Sequence, residues 1–502
     1  MNYESVSQAL DQLHKLGKTY LAYVHAQGVM ELDAATAAPK GSWEGRGVTA
    51  GILSEVMYDL IADAKNSELI TYLKEHSEEL DDMQKREVEV LEKNYQRMNR
   101  IPAREYVDYN VLLNDAQAAW EKAKNNNDFS VFLPYLEKIV VYNRKFAGYY
   151  DPTLPAYDAL LNEYEEGMTM EVLDAFFEKL RSTIVPLVEQ ISRKENPEFA
   201  FTDRHYPVDI QKQFSTVLME TMGLDRNYCT IAESEHPFTI NYNNKDVRIT
   251  THYYEKDIQP SMFSVIHEGG HALYELCADD KYNYTFLYGG TSMGIHESQS
   301  RFYENLIGRS RAFVNYIFPK VRELFPEQMK DVDAEMFYRS VNRAEPSLVR
   351  IEADELTYCL HIMIRYEIEK KLIAGTLAVK DVPDAWNRMY KDYLGVDVPN
   401  DSMGCLQDIH WSFGNIGYFP SYALGSAYGA QMLHVMQQEL GDVFADVERG
   451  DLSRITGWLK KNIHRHASFK KPGQVFEDAC GPFDATYYTG YLKEKFTELS
   501  DL

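Results

Sequence analysis

The chain has 502 residues, 45% of them hydrophobic and 26% charged, the balance of an ordinary globular protein with ample length to bury a core. Its formal net charge is −25, which argues against nucleic acid and anionic membrane as partners, because both repel such a surface. The opening MNYESVSQALDQL has neither a basic nor an apolar leader region, and no run reaches the roughly 18 apolar residues of a membrane span, so a cytoplasmic protein is expected. The five cysteines (Cys229, Cys277, Cys359, Cys405, Cys480) are scattered with no CxxC pair and read as reduced thiols.

In chain order, the first pattern is helical. Leu80, Met83, Val88, Leu91, Tyr95 and Met98 recur at helical spacing among charged residues and predict one long amphipathic helix, closed near Pro102. A second helix is expected through NVLLNDAQAAWEKAK, ending at the polar residues 125–128. There is no internal repeat and no Gly/Ser linker. Residues 1–200 are expected as a helical layer and 201–502 as the core of a single unit spanning 1–502. The stretch PFTINYNNKDVRITTHYY (237–254) breaks the helical texture. Two β-rich runs flank Asn243, Asn244 and Lys245, which predicts a hairpin, and its strand could pair with an extended peptide. Helical character returns after Pro260 and carries HEGGH at 267–271.

That pentapeptide places His267 and His271 on one helical face, where both imidazoles can reach one ion, with Glu268 turned about 100° away to hold water. Mid-helix Gly269 and Gly270 each disfavour the helix by about 1 kcal/mol relative to alanine, so a close approach by another backbone or by substrate is expected there. A catalytic zinc needs a third protein ligand. Glu297, early in the amphipathic helix expected in GGTSMGIHESQSRFYENLIGRS, is suitably placed, with His296 and Glu304 as rivals. A thermolysin-like site has an aspartate four residues after the ligand glutamate to orient a histidine. Here that position is Arg301, so the supporting partner must come from elsewhere. His464 and His466 are two apart and would point to different helix faces, so they are expected at the surface.

Six segments in this order are HPF (236–238), DVRIT (246–250), HEGGH (267–271), HESQS (296–300), VRIEAD (349–354) and GCLQDIHW (404–411). Together they resemble the carboxypeptidase Taq family of zinc metallopeptidases over nearly the full length. The fifth segment departs mildly, with Val349 where the family usually has isoleucine. The resemblance implies a mostly α, zincin-like fold with a deep cleft and a very small β-sheet, usually a homodimer. It also implies a zinc carboxypeptidase of broad specificity acting on peptides. On that reading His267, His271 and Glu297 hold Zn2+, or another divalent metal such as Co2+, and Glu268 is the general base and acid. His410, Tyr418 and Tyr422 are candidates for stabilising the oxyanion. Arg248 and Arg350 are candidates for gripping the substrate's terminal carboxylate, with Asp246 and Asp354 as the partners of a purely structural pairing. His236 is expected along the cleft, and Gln407 and Asp408 could orient a ligand or an arginine. The same zinc chemistry could serve an oligopeptidase or an aminopeptidase, and a site without catalysis would leave a peptide-binding protein.

Overall fold

The computed structural model describes residues 3–194 and 198–502. Helices dominate, as expected, around a single three-stranded sheet among the described residues. The long helix expected from Leu80 to Met98 runs Asp82–Arg100. Asp81 caps it in a reciprocal box with Gln84, which satisfies two of the backbone donors that a helix start leaves bare. The second runs Ala103–Asn126 and stops where Asn127 adopts the left-handed conformation (φ 54°). Among the described residues, no helix is long and apolar enough to cross a membrane.

Apolar burial is divided. One cluster joins Ala9, Leu13, Leu16, Ile61, Leu69, Leu73, Val88 and Leu91 from the first helices. The main core begins at Leu112 and runs to Phe496, so the helix starting at Ala103 shares its core with the later part of the chain. Phe286, in the loop before the third predicted ligand, packs into the first cluster and its N–H donates to buried Glu87 (3.2 Å).

The hairpin is present: β2 (Thr239–Asn243) and β3 (Asp246–Thr251) are antiparallel, turn at residues 244–245, and slip register between Asn241 and Asn243. β1 (Cys229–Glu233) adds a parallel pairing on the other side of β3, giving the order β1-β3-β2. The helix carrying the histidines spans Gln259–Leu276, with Pro260 in its first turn, where the missing N–H is harmless. Met262, Phe263, Val265, Ile266 and Leu273 anchor it in the core.

The helix carrying Glu297 spans Met293–Arg301 and departs from expectation. It is buried nearly all round rather than amphipathic, because it lies between the histidine helix and the helix Pro420–Leu440. It continues as a π-helix over Phe302–Gly308, in which Arg309 N–H donates to Glu304 C=O, five residues back. The two mid-helix glycines are explained by close approach. A Cβ on Gly270 would lie 2.5 Å from Gln299 O and 2.8 Å from Ser300 Cα, and one on Gly269 would lie 2.6 Å from Met222 Sδ. His464 also corrects the sequence reading. Its segment is a short 3-10 turn rather than an α-helix, and its side chain is fully buried with Nε2 2.8 Å from Gln299 Oε1. All five cysteines are free thiols, and three of them are buried.

Gly270→Ala has no room, because the atoms it meets are backbone. It should lower stability by about 1–3 kcal/mol, as overpacking does, read as a drop in Tm, whereas Gly51→Ala, with nothing within 4 Å, should not.

Candidate active site

His267 and His271 leave one face of their helix, and their Nε2 atoms converge on Glu297 Oε2, at 3.8 Å and 3.6 Å respectively. The three donor atoms all lie within 4.8 Å of one another. Ligand atoms around a tetrahedral ion with bonds of about 2.05 Å sit roughly 3.4 Å apart. The observed separations lie close to that edge length, and two imidazole nitrogens with one carboxylate oxygen are a donor set suited to a divalent cation. The residues present therefore fit a metal.

The two rivals of Glu297 stand one step back. Glu304 accepts from His267 Nδ1 (2.8 Å), while His296 Nδ1 lies 2.6 Å from His271 Nδ1. Glu304 thus takes the orienting role that an aspartate at position 301 would have had. Arg301 donates through Nε to Glu297 Oε1 (2.7 Å) and through Nη1 to Glu304 Oε2 (3.3 Å), tying ligand and supporter together. Arg309 Nη2 also reaches Glu304 Oε1 (3.2 Å). Burial alone would raise the pKa of both carboxyls, but Arg301 and His267, joined by His271 at Glu297 and by Arg309 at Glu304, outweigh it and hold both well below the usual range. Burial, with the neighbouring imidazoles, brings His271 down to about 3, so it is neutral, the form a metal ligand requires. His267 is shifted up: burial pulls it down, but Glu297 and Glu304 prevail.

Glu268, beside the triad, is 6% exposed. Thr239 on β2 donates its hydroxyl to Glu268 Oε2 (2.7 Å) and is also 3.0 Å from the Glu268 backbone oxygen. Burial raises the Glu268 carboxyl above its ordinary value against the opposing pull of His267. Sequence reasoning missed Thr239, although it directly follows the HPF segment. It also missed Glu275, which lies one helical turn beyond His271.

Two cavities meet at the triad. The larger, about 770 Å³, is lined by His236, His267, Glu268, Glu297, Arg301, Arg350 and Tyr422, among others. The second, about 500 Å³, is lined by Thr239, Asn241, Glu268, His271, Gly290, Tyr418 and Tyr422, among others. His410 stands behind them, its Nε2 3.2 Å from Tyr422 OH, and burial lowers its pKa to about 4. Arg350 is 7% exposed. Its Nε and Nη2 face Asp408 Oδ1 (2.9 and 2.8 Å) and its Nη1 faces Tyr358 OH (3.2 Å). Asp408 is shared with buried Arg365, and Gln407 Oε1 accepts from both Arg350 N–H and Arg365 Nη2. Asp354 is not its partner; that carboxylate accepts instead from residues 345, 356 and 357. Arg248 lies outside the lining of both cavities, forks onto Asp246 (2.8 and 2.9 Å) and stacks over Tyr242.

The profile of the family described as carboxypeptidase Taq (M32) metallopeptidase matches residues 12–496. The chain belongs to this family. It is 42% identical over 479 residues to carboxypeptidase 1 of Bacillus subtilis (strain 168), covering 95% of this chain and 96% of that one. It is 34% identical to thermostable carboxypeptidase 1 of Pyrococcus furiosus, covering 98% of each. Among solved structures, the M32 carboxypeptidase of Deinococcus radiodurans R1 superposes with a TM-score of 0.96 at 36% identity, covering 98% of this chain and 100% of that one. Metallocarboxypeptidase 1 of Trypanosoma cruzi gives 0.94 at 31% identity, covering 97% and 99%. The carboxypeptidase Taq chain described here is accordingly an enzyme, a metallocarboxypeptidase.

If Glu304 supports His267, Glu304→Gln should weaken metal binding by about 10–100-fold with the three ligands intact. Competition with a chromogenic chelator measures this; an unchanged affinity would show that the contact is idle.

Proposed function

We propose that this enzyme releases C-terminal residues from peptides with broad specificity, using a zinc ion held by His267, His271 and Glu297. Bound there, the ion would supply Lewis-acid polarisation of the scissile carbonyl and a water of lowered pKa. Glu268 accepts a proton from the attacking water and returns it to the leaving amine. Its raised pKa brings it closer to working pH, and Thr239 holds one of its oxygens so that the other can face the reacting atoms. Tyr422 borders both cavities, and burial keeps its phenol protonated, so it is the donor we assign to the developing oxyanion. His410, neutral at working pH, steadies that phenol. His236 lines the same cavity as Arg350.

The observation that carries the reading is Arg350. It is a buried guanidinium in the wall of the cavity that also holds Glu268 and two of the three ligands. Of its five N–H groups, one on each Nη is left over from Asp408 and Tyr358, enough for a bidentate grip on a carboxylate. Arg248, already forked onto Asp246 outside the cavities, is the weaker candidate.

The test uses one peptide in two forms, free and C-terminally amidated, with zinc-loaded enzyme and products followed by mass. Single residues should leave the free form alone; equal cleavage of both, or internal cuts, would overturn carboxylate recognition. Glu268→Gln should lower kcat by about 10²–10⁴-fold while zinc content is retained.

A further inference from the structure

The two imidazoles of the triad are supported in different ways. His267 Nδ1 donates straight to a carboxylate, whereas His271 Nδ1 meets the ring nitrogen of another histidine. A contact of 2.6 Å between two imidazole nitrogens is a hydrogen bond when one carries a proton and the other does not.

The outer ends of this pair decide which. His271 Nε2 faces Glu297 Oε2 within the triad and must be bare to serve a cation, so the proton of neutral His271 sits on Nδ1. His296 Nε2 lies 2.7 Å from Glu275 Oε1, and an ionised carboxylate only accepts, so the proton of His296 sits on Nε2. Its Nδ1 is then bare and faces the His271 Nδ1–H. Both requirements are met by one assignment, in which His271 donates to His296 and His296 donates to Glu275.

We infer that His296 and Glu275 form a relay in series that fixes the tautomer and orientation of His271, so that metal affinity depends on both although neither is a ligand. This rests on the proposal that His267, His271 and Glu297 hold the metal. The surroundings enclose the relay closely. Glu275 is 4% exposed and its Oε1 also accepts from Gly290 N–H (3.0 Å). A Cβ on Gly290 would lie 2.7 Å from His296 Cδ2 and from Tyr274 Cε1, so the loop closes against the edge of the His296 ring. Gly290 lines the second cavity, and one carboxylate oxygen therefore ties the wall of that cavity to a ligand of the metal site.

The test is a double-mutant cycle on the zinc Kd of the full chain, by chelator competition, with the Tm of each metal-free variant recorded. His296→Phe keeps a flat ring without nitrogens and should weaken binding by about 10–100-fold; Glu275→Gln should weaken it by about 10-fold. Because the two act in series, the double variant should bind no more weakly than His296→Phe alone. His296→Gln, which restores an acceptor, should recover part of the loss. Unchanged affinity in His296→Phe, or losses that simply multiply in the double variant, would overturn the relay. If His296→Phe does not fold, Glu275→Gln decides: full affinity overturns the relay, and a tenfold loss at unchanged metal-free Tm supports it. Wild-type chain that binds no zinc would instead refute the metal triad itself.

Discussion

Everything at the site depends on how closely two helices approach. Two of the three donor atoms come from the histidine helix and the third from the helix Met293–Arg301, and they meet only because the backbone of residues 299–300 rests on Gly270. The opposite face is cleared in the same way: a Cβ on Gly425 would lie 2.5 Å from Glu297 Cγ. Each helical glycine disfavours its own helix by about 1 kcal/mol, a penalty offset by the apolar burial of neighbours such as Ile266, Ile295 and Leu424.

Pressing the helices together also buries charge. Glu297 and Glu304 are buried and Arg301 and the two histidines are partly so, so each carboxylate depends on these neighbours for its solvation. Around them the larger cavity carries Arg309, Arg343 and Arg350 as well as Arg301. A protein of net charge −25 thus lines its catalytic cleft with guanidinium groups. At long range it repels an anionic chain end; within the cleft these guanidinium groups alternate with carboxylates such as Asp257, Glu352 and Asp354, so any attraction is local to single groups.

Much of this was legible in the sequence, for local reasons. Helix period, Pro260 and the Asn-rich turn are short-range signals, and they located the long helix, the histidine helix and the hairpin. The i, i+4 spacing of His267 and His271 dictates a shared face in any helix. The arrangement of ligand and supporter was not legible. His296, Glu297 and Glu304 all lie within reach of the pair, and spacing alone does not say which oxygen or nitrogen arrives first. β1 pairs with a strand separated from it by β2, and Arg350 finds Asp408 far along the chain; neither pairing leaves a periodic trace. His464 was misread because an i, i+2 argument assumes a helix, and the chain there makes one tight turn instead.

The π-helix at Phe302–Gly308 separates two things that sit next to each other in space. An α-helix continued past Arg301 would run at about 3.6 residues per turn; the wider turn retards the rotation, so Glu304 faces His267 in a register set by the π geometry. π-helical turns are rare and occur frequently at functional sites. Removing Phe302 or Tyr303, the two residues of this segment that precede Glu304, would swing Glu304 aside by about 100° and leave Glu297, on the α-helical side, where it is. Glu297 and its buttress Glu304 are therefore geometrically separable: a change in the length of this one turn acts on the buttress without dismantling the triad.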